Sequence, residues 1–263
     1  MARMIPKISV ITVTYNALDG LRRTVKSVIG QQFDDYEFIV VDGAGADGTA
    51  DYLRSETTGV TRWVSEPDGG IYEAMNKGVR MAQGEYCIFM NAGDCFVDDK
   101  VMATMVPFLD GTDLVTGNQI NVSEQGRIDD YSPADGSFSL VNLLQSAVKH
   151  QSTFIRRTVL LKHPYDESLR LVSDWKLFLE LFLEGSVSYK TVNVNVCFFF
   201  GGGATDKNRD LGKRERLKVL SGYPEYKDIW SSPYNPSFAK KVKNKLLFYW
   251  NRIMYTKKLN ELK

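Results

Sequence analysis

Residues 84–96 read GEYCIFMNAGDCF. An apolar run from Tyr86 to Met90 stops abruptly at the polar turn Asn91-Ala92-Gly93-Asp94. Short apolar runs rich in aromatic and β-branched residues, bounded by Gly and Asn, are the pattern of a strand buried in a sheet. Open α/β sheets bind their ligands just past the carboxyl ends of such strands. Asp94 is therefore a candidate ligand acid, although a strand-end Asp is also a common turn residue.

The chain upstream alternates in a way that suits this reading. Residues 7–14 (KISVITVT) predict a first buried strand ending at Tyr15-Asn16, and a helix follows with Leu21, Val25 and Val28 on one face. Residues 36–41 predict a second strand, which ends at Asp42. The small-residue loop 43–49 (GAGADGT) follows, and Asp47 is placed to cap the next helix. Residues 60–64 predict a third strand, residues 65–70 (SEPDGG) a turn-rich loop, and residues 71–82 a helix carrying Ile71, Met75, Val79 and Ala82 at helical spacing. This alternation predicts an α/β fold, with a Rossmann-like, mostly parallel sheet and helices on both faces.

Downstream the alternation loosens. Helices are expected over 98–109, 140–147, 175–183 and 211–220, the third capped by Ser173 or Asp174. Strands are expected over 113–120, 150–155 and 186–196, with a polar, turn-rich stretch over 121–137 and a Gly-rich loop over 198–210. No composition shift marks a clean boundary within residues 1–235. They read as one domain, with a nucleotide-binding part over 1–120 and an acceptor part over 121–235.

The chain has 263 residues, 43% hydrophobic and 25% charged, which is ordinary for a globular protein with a substantial core. A net charge of +1 gives no global electrostatic case for nucleic acid. The three cysteines, Cys87, Cys95 and Cys197, are odd in number and fit no zinc spacing. They read as core residues in a reducing compartment. No signal peptide is visible, and no apolar run reaches the length of a membrane span. The expected location is cytoplasmic.

Three acids and one histidine stand out as chemistry. Asp42 can accept hydrogen bonds from a ribose hydroxyl or a base N–H, or act as a solvated loop acid. The loop after it is neither a Walker A loop nor a dinucleotide fingerprint. Asp94 suits a hard divalent cation such as Mg²⁺ or Mn²⁺. Asp174 precedes bulky apolar residues, which would make it keep its proton longer and tune it as a general base; it also suits an N-cap. His150 is one of two histidines and reads as either structural or functional, while His163, beside Pro164, is assigned to a loop.

Together these segments resemble glycosyltransferase family 2, whose members have the GT-A fold. ISVITVTYN at residues 8–16 is similar to the opening strand of the family, and FIVVDGAGADGT at 38–49 to its second-strand motif. EPDGGIYEAMNKGVRMAQGEYCIFMNAGD at 66–94 resembles the subgroup that acts in bacterial polysaccharide assembly. HQSTFIRR at 150–157 and SDW at 173–175 look like acceptor-side motifs, and GGGAT at 201–205 like the late Gly-rich loop. The resemblance spans roughly residues 7–220. It implies an inverting hexosyl- or N-acetylhexosaminyltransferase. Thr14, Tyr15, Asn16, Asp42, Asp68, Asn76 and Asn91 would contact a nucleotide-diphosphate sugar, Asp94 would bind Mg²⁺ or Mn²⁺, and Asp174 would be the base. His150, Gln151 and Trp175 would lie on the acceptor side, and Lys213, Arg214 and Arg216 near the diphosphate. The acidic motif of the family usually reads Asp-x-Asp-Asp; here it is Asn91-Ala92-Gly93-Asp94.

Residues 236–263 differ in kind. Eight Lys and Arg residues interleave with Phe238, Leu246, Leu247, Phe248, Trp250, Ile253 and Met254, with Glu261 as the one acid. A basic amphipathic helix of this sort lies on an anionic membrane surface, each cation contributing about 1 kcal/mol, or packs on the domain. Membrane placement would suit a glycan acceptor carried on a polyprenyl diphosphate at the inner face of the membrane. Two other functions fit parts of the pattern: a sugar nucleotidyltransferase and a non-catalytic sugar-nucleotide or glycan-binding module. The first needs a basic Gly-rich loop after strand one, where the chain has Tyr15-Asn16-Ala17-Leu18-Asp19.

Overall fold

A computed structural model of the chain describes residues 5–55, 59–123, 128–132, 139–145, 149–201, 203, 208–227, 230 and 255. The N-terminal half runs β1 (Ile8–Thr14), α1 (Leu18–Ile29), β2 (Tyr36–Asp42), α2 (Thr49–Arg54), β3 (Arg62–Ser65), α3 (Ile71–Met81) and β4 (Tyr86–Phe89). Its strands lie side by side as β3-β2-β1-β4, all parallel. The second half runs β5 (Cys95–Phe96), α4 (Val101–Met105), β6 (Leu114–Val122), β7 (Ile128–Ser132), α5 (Leu140–Gln145), β8 (Thr153–Arg156), α6 (Arg157–Lys162), α7 (Ser173–Glu184), β9 (Tyr189–Phe200) and, as α8, the helix Arg209–Leu220.

The parallel arrangement expected from the sequence holds across the first four strands. Beyond β4 the sheet becomes mixed: β8 inserts antiparallel between β4 and β6, β9 runs parallel to β6, and β5 and β7 pair antiparallel with β9 and β6. The β-branched runs of β1 and β2 explain why these strands lie at the centre, since β1 is buried at every position. Alternate residues feed two cores. Ile11, Val13, Ile39 and Val41 meet Met75 and Val79 of α3 on one face. Ile8, Val10, Phe38 and Val40 meet Leu21, Val25 and Val28 of α1 on the other. The close approach of α3 depends on Gly78, where a Cβ would stand 2.5 Å from Ile11 Cγ2.

Several local expectations are corrected. Asp47 is not the N-cap of α2, because Gly48 holds that position. Its carboxylate instead accepts from Leu18 N at 2.7 Å and from Thr49 N at 3.1 Å, so it joins the starts of α1 and α2. Neither Ser173 nor Asp174 caps α7, whose N-cap is Val172; both lie inside its first turn. His150–Ser152 is a 3-10 turn, and the strand starts only at Thr153. His163 lies in the loop that follows α6, as expected, and faces Glu184. Strands β5 and β7 and helix α6 were not expected from the sequence. Strand β9 runs on to Phe200, into the stretch read as a Gly-rich loop.

Of the loop 201–205 only Gly201 and Gly203 are described. The helix expected over 236–263 lies outside the described residues except for Tyr255. The Tyr255 ring meets Phe198 edge-on at 5.5 Å, and its hydroxyl accepts from Asn195 Nδ2 at 3.1 Å. Among the described residues no helix is long and apolar enough to cross a membrane. All three cysteines are free and buried.

Candidate active site

The registers of β1, β2 and β3 bring Thr14, Asp42 and Ser65 into a row at the carboxyl edge of the sheet. Asp42 is fully buried, and its Oδ2 accepts from Ser65 Oγ at 2.7 Å. Its Oδ1 and the Thr14 hydroxyl are buried with no partner among the described residues. Buried polar atoms left unpaired cost on the order of 1–3 kcal/mol each, so two in register at a sheet edge make this a candidate ligand site. At Gly43 a Cβ would stand 2.9 Å from Asp68 Oδ2 and 3.1 Å from Tyr15 Cδ2, so the bare backbone lets both close in. Burial raises the Asp68 carboxyl, and the Glu73 and Asp42 charges add to this against Gly70 N–H and Lys77. Tyr15 is 66% exposed, a large aromatic surface beside the row.

Two residues expected at the donor are engaged by the protein instead. Asn16 adopts φ 48° and accepts from Ala46 N at 2.9 Å, bracing the loop after Asp42. Asn76 is buried in α3 and holds the segment before α7, donating to Tyr165 O at 2.8 Å and Glu167 Oε1 at 2.9 Å and accepting from Tyr165 N at 2.9 Å. It acts as a strut.

After β4 the chain keeps following β1, with Met90 N donating to Ile11 O at 2.9 Å and Ala92 N to Val13 O at 3.2 Å. That continuation sets the turn 91–94 alongside Thr14. Gly93 takes φ 112°, a conformation that favours glycine. Asp94 is buried, and Oδ1 accepts from Phe200 N at 3.3 Å. Burial pushes its carboxyl up to about 8, against the hydrogen bonds from Phe200 and Gln151 and the charge of Arg23. The Arg23 guanidinium lies 4.6 Å from the Phe200 ring centroid, next to this carboxyl. Among the described residues no group of three or more His, Cys, Asp and Glu could hold a metal ion.

On the other side of the turn, Asp174 Oδ1 accepts from the Tyr72 hydroxyl at 2.9 Å, and Oδ2 pairs with His150 Nδ1 at 3.0 Å. His150 Nε2 faces Asn91 Nδ2 at 3.3 Å. Burial alone would raise the Asp174 carboxyl, but the hydrogen bond and charge of His150 and the hydrogen bonds from Tyr72 and the Trp175 backbone N–H outweigh it and hold the group below the usual carboxylate value. The expectation that an apolar wall would keep Asp174 protonated is thereby reversed.

Of the three basic residues expected near a diphosphate, only Arg216 faces this side; Lys213 and Arg214 are exposed on α8. The Arg216 guanidinium sits 4.9 Å from the Trp175 ring centroid, and burial lowers its pKa while Asp174 and Tyr72 oppose the change. Trp175, expected to face an acceptor, is a core residue at 1% exposure whose indole N–H donates to Leu143 O. Tyr72, Ser65 and Arg23 were not singled out from the sequence. Only Tyr72 carried a signal, because a tyrosine on the buried face of an amphipathic helix needs a partner for its hydroxyl.

Parallel strands that end on two buried acids, Asp42 after β2 and Asp94 in the turn after β4, define an α/β protein whose candidate site lies at the carboxyl edge of its sheet. The family model for glycosyl transferase family 2 matches residues 9–159, more than half of the chain, and the chain belongs to that family. An uncharacterized glycosyltransferase of Mycobacterium tuberculosis is 45% identical over 107 residues, which cover 40% of this chain and 41% of that one. A PGL/p-HBAD biosynthesis glycosyltransferase of the same species is 28% identical over 207 residues, covering 75% of this chain and 78% of that one. A mannosyltransferase from Pyrobaculum calidifontis, in complex with GDP-Man and Mn²⁺, shares the fold at a TM-score of 0.61 and 16% identity, over 98% of this chain and 74% of that chain. The GT-A fold implied by the sequence is thus the fold observed.

Proposed function

We propose that the protein is an inverting glycosyltransferase that moves a sugar from a nucleotide-diphosphate sugar to a hydroxyl of a lipid-linked glycan. The feature that carries this reading is the half-buried Asp174 carboxylate, held below the usual carboxylate value and joined through one histidine to the strand-end turn that bears Asp94. The unpartnered Asp42 Oδ1 and Thr14 Oγ1 supply an acceptor and a hydroxyl for the nucleoside, with Tyr15 and Asp68 beside them.

Asp94 is the residue that would hold Mg²⁺ or Mn²⁺, and the cation's charge would have to offset the burial that favours the neutral acid. Hard cations in nucleotide enzymes take one or two protein carboxylates and fill the remaining positions with phosphate oxygens and water. Bound there, such an ion would offset charge that develops on the leaving diphosphate. Asp174 takes the proton of the acceptor hydroxyl while its oxygen attacks the anomeric carbon. The bond to the diphosphate breaks with its electron pair leaving on phosphate oxygen, and one displacement inverts the centre. Arg216, half-buried beside Asp174, adds positive charge on this side. The PGL/p-HBAD relative supports an acceptor in glycolipid or cell-surface polysaccharide assembly. The basic segment 236–263 supports a peripheral place on an anionic membrane surface.

The test is consumption of UDP- and GDP-sugars in the presence of Mn²⁺. Turnover with one of them that is lost in Asp94→Ala is the expected result. Binding without turnover of any donor would instead favour a sugar-nucleotide-binding module.

A further inference from the structure

We infer that His150 is a positioning residue for the transfer, with the Asn91 amide on its Nε2 fixing the tautomer that holds Asp174. Asp174 is held below the usual carboxylate value, and an ionised carboxylate can only accept hydrogen bonds. The 3.0 Å contact at Oδ2 therefore requires the proton on His150 Nδ1. In a neutral imidazole the other nitrogen is then a lone pair that needs a donor. The Asn91 amide Nδ2 stands there at 3.3 Å. The ring is further fixed by the Phe89 edge at 6.4 Å and by the 3-10 turn in which His150 is 9% exposed.

The consequence is an oriented base. Asp174 accepts from Tyr72 on Oδ1 and from His150 on Oδ2, with the Trp175 backbone N–H as a further donor, so its plane is set. The groups facing it are Tyr72 from α3, His150 from the 3-10 turn, Tyr165 from the segment before α7 and Arg216 from α8. Asn91 belongs to the turn that carries Asp94, so the donor side of the site sets the orientation of the base through a single imidazole. This rests on Asp174 being the proton acceptor of the proposed transfer.

The chain has two histidines, which makes the test direct. Long-range proton–nitrogen NMR of the full-length protein reads each tautomer, and His163→Gln assigns the two rings. Measured at a pH where the ring is neutral, His150 is expected as the Nδ1–H tautomer, and an Nε2–H tautomer there would overturn the inference. The second readout is the Asp174 carboxyl, followed by carbon NMR against pH. His150→Phe should move its midpoint up, because one stabilising donor is lost while burial remains. Asn91→Leu should move it less, and not at all when His150 is already Phe. Tyr72→Phe should move it whatever stands at position 150. Equal effects of Asn91→Leu with and without His150 would overturn the inference. None of these readouts needs turnover: a wrong tautomer in an active enzyme defeats this inference alone, and the expected tautomer in a protein that transfers no sugar defeats the functional reading alone.

Discussion

Glu37 and Asp42 stand on the same strand, near opposite edges of the sheet, and both are buried. Glu37 is satisfied by the protein. It accepts from Ser9 Oγ at 2.6 Å, Gln83 N at 2.5 Å and Gly84 N at 3.0 Å, and pairs with Arg62. Burial would raise its carboxyl, but these partners outweigh burial and hold it below the ordinary value. Asp42 has one partner, Ser65, and leaves Oδ1 bare beside the bare Thr14 hydroxyl. The amino edge of β2 is thus closed by its own side chains, whereas the carboxyl edge has hydrogen-bonding capacity to spare. Desolvated groups left unpaired lower stability, so among the described residues the carboxyl edge is the one that keeps an acceptor and a hydroxyl available to a ligand.

Asp174 is the acid that most sharpens this contrast, because it is both satisfied and placed at the carboxyl edge. Asp174→Asn keeps the shape but removes the charge that accepts a proton. Transfer should fall by about 10²–10⁴-fold, the usual contribution of general-base catalysis, while donor affinity measured by calorimetry stays unchanged. An unchanged transfer rate would reduce Asp174 to a structural acid like Glu37.

Asp94 predicts the next largest effect, on stability. Its carboxyl is raised to about 8 by burial. A carboxyl raised in the folded state gives stability that is present below about pH 4 and is lost as pH rises toward the folded value. Asp94→Asn removes that loss. With chelator present, the variant should match the wild type near pH 4 and exceed it by a few kcal/mol near pH 8. Thermal unfolding across this range checks it; parallel curves would mean that Asp94 is ionised and already partnered in the folded protein.

These acids also show where the sequence was informative. Asp42, Asp94 and Asp174 were singled out because hydrophobic periodicity located the strand ends and the start of an apolar helix, both local signals. The first four strands followed from the same alternation. What escaped depends on pairing across the chain. Two-residue β5 exists only because β9 pairs with it, and β7 because β6 does. The ionisation of Asp174 was misjudged because its neighbours in sequence are apolar, while its partners Tyr72 and His150 lie 102 and 24 residues away. Asn76 and Trp175 sit within motifs that look functional, yet the structure occupies both with packing and backbone hydrogen bonds.

Glu37→Gln tests the closed edge. The amide retains the shape but weakens the pairing with Arg62 and the acceptance from Gly84 and Gln83. A loss of about 1–3 kcal/mol in unfolding free energy is expected, with activity per folded molecule unchanged. Because Glu37 is held below its ordinary value, it gives stability that is present above about pH 4.5 and lost as pH falls through the folded value. The variant should therefore lose less stability than the wild type on acidification. A change in donor affinity would show that the two edges are coupled.

Asp42→Asn is the converse change and the smallest. Ser65 Oγ can still donate to the amide oxygen, so the fold keeps the hydrogen bond it already makes. What disappears is the negative charge and one accepting oxygen on the side that faces the unpartnered Thr14 hydroxyl. A hydrogen bond to a charged group contributes about 1.5–3 kcal/mol, and an amide recovers part of it, so donor affinity should fall by about tenfold. The melting temperature should hold or rise, since no folded-state partner of the lost oxygen exists among the described residues. Isothermal calorimetry with a nucleoside diphosphate, set against a melting curve, separates the outcomes. Weaker binding at constant stability means that the bare oxygen belongs to the ligand. A lower melting temperature at constant affinity means that Asp42 is a structural acid, and the contrast between the two ends of β2 would then be one of degree.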